Sequence, residues 1–260
     1  MVVVSRDDER LTWVGHATVL LELGGARLLT DPLLRTRLGH LRRHGARPRP
    51  EMTEDIDAVL ISHVHLDHLD ARSLRSLTRR ARVIAPNGAG RLLRRIGFAR
   101  VDEVAPGDRI TVGDATVTAL PAVHDARRSP LGATVATLGY EIAGAQRVYF
   151  AGDTELFDGM HTFAGRFDVA MLPVWGWGPS LGPGHMDPLS AARAVAIVRP
   201  TVAVPIHWGT FFPVGFEALR GSAFVELPRV FARHVAELAP DVDVRVLAPG
   251  DELVLGRVAM

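Results

Sequence analysis

The stretch His63-Val64-His65-Leu66-Asp67-His68 places four imidazole or carboxylate side chains within six residues, directly after the apolar segment Ala58–Ser62. A solvated turn with incidental histidines accounts poorly for that density, because these donors gather where a divalent cation has to be gripped. In an extended loop the side chains of His63 and His65 project to one side, while Asp67 and His68 can turn toward a second position. The spacing predicts one loop that feeds two metal ions.

A catalytic zinc ion takes about three protein ligands and keeps one position for water, so a two-metal site needs donors from elsewhere in the chain. Three residues qualify: His124 in Pro121-Ala122-Val123-His124, Asp153 in Tyr149-Phe150-Ala151-Gly152-Asp153-Thr154, and His207 in Val204-Pro205-Ile206-His207-Trp208-Gly209. Taken singly, each reads equally well as a core or capping residue, Asp153 above all. Their common position just past a strand-like segment favours ligation. The chain has 0 cysteines, so thiolate sites and disulfides are excluded and any metal must be held by imidazole and carboxylate.

Around these residues the pattern alternates strands with single helices. Leu11–Val14 and Thr18–Leu23 read as strands, Gly24-Gly25 as a turn and Ala26–Thr30 as the returning strand. Further strands are expected at Val83–Ala85, Arg109–Pro121 around a Gly113-Asp114 turn, Thr134–Ile142, Arg147–Ala151, Val169–Val174, Val202–Ile206, Val242–Leu247 and Glu252–Leu255. Helices are expected over Asp70–Ala81, Gly88–Ile96, Pro188–Val198 and Pro228–Leu238. Arg35–Arg49 shows no periodicity and reads as a loop or irregular insertion. The architecture implied is mixed α/β with two sheets.

Bulk properties narrow the function classes. With 260 residues and no composition break, a single domain over residues 1–260 is expected. A formal net charge of +1 gives no global field for nucleic acid, although every basic side chain is arginine and several cluster locally. Met1–Arg10 cannot form a secretory apolar core, and no apolar run is long enough to span a bilayer, so a cytoplasmic location is the expectation.

The ordered set, a His-x-His-x-Asp-His loop, a later His, a Gly-Asp-Thr aspartate and a final His after a strand, resembles the metallo-β-lactamase superfamily over nearly the whole chain. That resemblance implies a four-layer αββα sandwich with the active site at one edge of the two sheets. It also implies one metal on His63, His65 and His124, a second on Asp67, His68 and His207, and Asp153 bridging both. Two zinc ions are the usual occupants, with manganese or iron as alternatives. Trp13-Val14-Gly15-His16-Ala17-Thr18, Thr30-Asp31-Pro32, His185-Met186-Asp187-Pro188 and Ile206-His207-Trp208-Gly209-Thr210-Phe211 are further similar to the branch containing N-acyl-phosphatidylethanolamine phospholipase D and ascorbate-6-phosphate lactonase. The chain departs from the phospholipase pattern at Asp125 and in the Trp175–Gly184 loop.

The expected reaction is hydrolysis of a phosphodiester, lactone or related small-molecule ester by a hydroxide held between the metals, with Asp67 orienting it and His185 assisting substrate or leaving group. His16, a candidate substrate-binding residue alongside Trp175 and Trp177, reads equally as a residue of the metal cleft and as a structural histidine. Trp175 and Trp177 are candidates for an apolar substrate wall or for core packing. Asp187 suits the N-cap of the helix that Pro188 opens. The arginines of 35–49, with Arg127 and Arg128, read as an anion-binding group or as solvated surface. Two rival readings are a di-iron redox protein on the same fold and a nuclease; the imidazole-rich donor set speaks against the first and the near-neutral charge against the second. Oligomeric state is not legible.

Overall fold

The computed structural model describes residues 9–125, 135–175, 182–215 and 217–256. The first sheet is built from β1 (Arg10–Gly15), β2 (Thr18–Leu23) and β3 (Ala26–Thr30), and continues after a two-strand excursion, β4 (Arg37–Leu38) and β5 (Leu41–Arg43). It is completed by β6 (Ala58–Leu60), β7 (Arg82–Pro86) and β8 (Val101–Val104), with α1 (Ala71–Ser76) and α2 (Gly90–Ile96) between them. The second sheet comprises β9 (Arg109–Val112), β10 (Ala115–Pro121), β11 (Leu138–Ala143), β12 (Arg147–Phe150), β13 (Val169–Pro173) and β14 (Val202–Ile206). After α3 (Pro188–Val198) and β14 come β15 (Phe211–Pro213), α4 (Glu217–Leu238), β16 (Asp243–Val244) and β17 (Glu252–Val254). Strand order is β17-β1-β2-β3-β6-β7-β8 in one seven-stranded sheet and β16-β14-β13-β12-β11-β10-β9 in the other, while β15-β5-β4 form a small third sheet.

Three apolar layers separate the stacked elements. Leu11, Trp13, Leu21 and Leu28 of the first sheet pack against Val117, Tyr140, Phe150 and Met171 of the second, so the sheets bury their inner faces on each other. Val59, Leu74 and Leu93 form a second layer, seating α1 and α2 on the outer face of the first sheet. Ala170, Ala191, Val195, Phe231 and Val235 form the third, seating α3 and α4 on the second sheet. Helix, sheet, sheet and helix are stacked in that order, as the superfamily resemblance implies.

Strand direction decides where the site lies. β1 is antiparallel to β2 and β2 to β3, whereas β6 runs parallel to β3, so β1, β3 and β6 all end at one edge. In the second sheet β10 and β12 are each antiparallel to β11, and β13 and β14 run parallel to β12. Their C-terminal ends therefore share an edge as well. His16, Asp31 and His63 follow the ends of β1, β3 and β6; His124, Asp153, Trp175 and His207 follow those of β10, β12, β13 and β14.

Local chemistry explains several boundaries. The Asp70 carboxylate accepts from Ser73 N at 2.9 Å and starts α1, an N-cap of the kind that contributes about 1 kcal/mol. That helix stops at Ser76 rather than at Ala81, because the Arg79 guanidinium reaches back to the carbonyls of Leu74 and Arg75 and closes it. Asp187 and Ser190 form a reciprocal capping box ahead of Pro188, the cap expected for Asp187. α4 begins eleven residues before the sequence-based start at Pro228, which lies inside it. Arg35–Arg49 is not wholly irregular: β5 pairs with β15, and the buried Arg43 guanidinium donates to the carbonyls of Val14, Leu33 and Arg35 while stacking 4.9 Å from the Phe211 ring. Burial lowers the Arg43 pKa to about 10. This arginine ties the small sheet to β1 and is not available to a substrate. Among the described residues no helix is long and apolar enough to cross a membrane.

Candidate metal centre

The loop after β6 and the ends of β10, β12 and β14 bring all seven candidate ligands into one cluster. On one side, His63 Nε2 and His124 Nε2 lie 3.0 and 3.1 Å from His65 Nδ1. On the other, His68 Nε2 lies 3.4 Å from Asp67 Oδ2 and 3.3 Å from His207 Nε2. Asp153 stands between, with Oδ2 3.1 Å from His68 Nε2 and Oδ1 3.4 Å from His207 Nε2. Ligand atoms of His63, His65 and His124 lie within 4.8 Å of one another, as do those of His16, Asp67, His68 and His207, of Asp31, His63 and His68, and of His124, Asp153 and His185.

The outward-facing ring nitrogens reveal what the inward ones can do. His124 Nδ1 is 2.8 Å from the Gly184 carbonyl, His207 Nδ1 2.5 Å from the Trp175 carbonyl and His68 Nδ1 2.7 Å from Asp31 Oδ2. Carbonyl and carboxylate oxygens only accept, so each Nδ1 carries a proton and each Nε2 points inward, where a neutral ring presents its lone pair. Converging lone pairs at about 3 Å repel unless a cation or a proton lies among them. The donor set is one that can bind metal.

Electrostatics differ across the cluster. Burial lowers the pKa of His63 and His65 and brings that of His124 to about 4, so these rings stay neutral. At His68 burial also opposes charge, but Asp153, Asp67 and Asp31 outweigh it and raise the pKa well above the ordinary value; His207 is raised by Asp153 and Asp67 in the same way. Burial likewise opposes ionisation of Asp67 and Asp153, yet the facing histidines hold both carboxyls well below the usual range. Histidine protons stand in here for the charge of a cation.

Backbone geometry supports the convergence. Gly152 has φ +62°, and a Cβ there would lie 2.7 Å from the Ser62 Cβ, so only glycine lets the Asp153 loop press against the strand that leads into His63. Gly184 has φ +81°, and a Cβ would meet His124 Nδ1 at 2.7 Å.

A family model described as a β-lactamase superfamily domain matches residues 26–208. This chain belongs to the metallo-β-lactamase superfamily. A UPF0173 metal-dependent hydrolase from Methanopyrus kandleri is 34% identical, over 93% of this chain and 98% of its own length. Among solved structures, a metallo hydrolase from the archaeon Ignicoccus hospitalis superposes with a TM-score of 0.69 at 24% identity, covering 96% of this chain and 99% of that one. CmlA, a diiron β-hydroxylase from Streptomyces venezuelae, superposes at 0.71 with 23% identity, covering 95% of this chain and 54% of that one. These two likenesses concern the fold.

Within this superfamily framework the remaining candidates separate. His185 lies at the opening, partly exposed, with Nε2 3.7 Å from Asp153 Oδ2 and its ring 4.6 Å from that of His124. Trp175 is partly buried and lends its backbone carbonyl to His207; Trp177, Arg127 and Arg128 lie outside the described residues. His16, grouped with the substrate residues in the sequence reading, is only 2% exposed, and its Nε2 faces Asp67 Oδ2 at 3.1 Å. The sequence reading missed Asp31 and Ser62. Asp31 accepts from Ser62 N at 2.7 Å and from its hydroxyl at 2.5 Å, and Ser62 Oγ is 2.9 Å from His63 Nδ1. A carboxylate closing the apolar strand β3 was the available signal.

Proposed function

We propose that this chain is a dinuclear metal-dependent hydrolase of small esters or phosphoesters, its residues 1–260 forming one catalytic unit. His63, His65 and His124 hold one ion, Asp67, His68 and His207 the other, and Asp153 both. The observation that carries this reading is the set of Nδ1 partners, which turns the Nε2 atoms of His68, His124 and His207 toward a common interior beside two carboxylates. Bound ions in such a site lower the pKa of water toward about 7 and stabilise the oxyanion that forms on attack. Asp67 and Asp153 supply the negative charge that keeps the cations in place. His185, at the opening, is placed to donate a proton from Nε2 to a leaving group that enters over Asp153.

Five imidazoles against two carboxylates suit zinc better than iron, which supports hydrolysis over di-iron oxidation. A formal net charge of +1 supports a small substrate over a nucleic acid. The resemblance of Trp13–Thr18 and His185–Pro188 to the phospholipase and lactonase branch makes phosphodiesters and lactones the first substrates to try. The test is a screen of zinc-loaded protein against phosphodiesters, lactones and simple esters, with Asp67→Ala as control and metal content measured throughout. Hydrolysis that disappears with chelation and returns with zinc is the expected result; hydrolysis that persists after complete metal removal would overturn the reading.

A further inference from the structure

His16 occupies a place in the cluster that none of the seven proposed ligands explains. It sits in the turn between β1 and β2 with φ +57°, a left-handed conformation that non-glycine residues adopt at a cost and that persists only where surrounding contacts enforce it. Those contacts are visible. The His16 amide donates to Thr210 Oγ1 at 2.7 Å, and its carbonyl accepts from His207 N and from Trp13 Nε1, each at 3.0 Å. His207 itself has φ +63°, so two strained histidines from different sheets are clamped to each other through their backbones.

The clamp aims the His16 ring. Its centroid lies 3.9 Å from that of His207 and 6.1 Å from that of Phe211, and its Nε2 is 3.1 Å from Asp67 Oδ2. A carboxylate oxygen only accepts, so Nε2 carries the proton and donates; the ring therefore has no lone pair on that nitrogen for an ion. We infer that His16 is a positioning residue: it fixes the rotation of the Asp67 carboxylate and thereby sets the affinity of the Asp67–His68–His207 half for its ion, without touching substrate. Outer partners of metal-binding side chains commonly change affinity by about 10–100-fold.

The inference rests on the two-ion reading, and the experiment separates the two. Zinc titration with a competing chelator, together with metal analysis, is carried out on the wild type, His16→Gly and His16→Gln. Glycine accepts φ +57° and removes only the ring, while glutamine carries an N–H donor at a similar reach. The wild type is expected to bind two ions. In His16→Gly the ion of the Asp67–His68–His207 half should lose about 10–100-fold in affinity while the ion on His63, His65 and His124 is unchanged; His16→Gln should recover most of the loss. Wild-type affinity for both ions in His16→Gly, or equal weakening of both, overturns the positioning role. A wild type that binds fewer than two ions overturns the two-ion reading, and this inference with it.

Discussion

The two halves of the metal cluster are built from similar side chains and behave oppositely. His63, His65 and His124 have pKa values pulled down by burial, and two of the three are partly exposed. Asp67, His68 and His207 are all buried, and there the nearby carboxylates overcome burial and push both histidines up. An imidazole is a neutral ligand or a proton store depending on whether its neighbours are imidazoles or carboxylates. The first half offers unprotonated lone pairs to a cation; in the second, a cation would have to displace protons.

The largest test of that contrast removes the residue common to both. Asp153→Ala should abolish binding of the second ion, weaken the first and lower turnover by about 10³-fold or more, measured by metal analysis and initial rates, because charge stabilisation of several kcal/mol is lost. An effect on one half alone would show that the carboxylate does not join them. Next in size, Asp31→Ala removes the acceptor behind His68 Nδ1, and zinc affinity in the carboxylate half should fall about 10–100-fold, with a smaller loss in the three-histidine half through Ser62 and His63. On the opposite side, Gly184→Ala drives a Cβ toward His124 at a strained φ; competition titration should show about tenfold weaker binding confined to the three-histidine half.

A smaller effect is expected from pH. Histidines with lowered pKa stay unprotonated as acid is added, His124 until about pH 4, and so keep competing for metal. His68 and His207, with raised values, take up protons at higher pH. Acidification should release the ion of the carboxylate half first and that of the three-histidine half later, seen as two steps in metal retained after desalting. A single step, or the reverse order, would break the comparison.

The parts of this arrangement written locally were legible in the sequence. His63–His68 announces itself by density, and β14 and α3 have the bounds read from periodicity because each is a clean apolar run with a clear start. Less was legible where distant residues decide. β4, β5 and β15 are two or three residues each and gain their pairing from partners far apart in the chain, so Arg35–Arg49 showed no period of its own. Pro228 suggested a helix start, since proline is normally excluded from helix interiors, yet α4 runs through it with Phe231 and Val235 anchored on the second sheet. His16 and Asp31 lay in quoted motifs, but their roles depend on which strand ends meet, which composition does not reveal.

The first four proposed ligands lie on the loop after β6 and the last three on strand ends of the other sheet, so neither sheet alone can grip an ion fully. A chain leaving the ribosome carries the histidine-rich loop long before His207 exists. With that ligand set, loading would be deferred until both sheets have closed on each other, and bound ions would act as a rivet across the seam, making resistance to heat depend on the supply of metal.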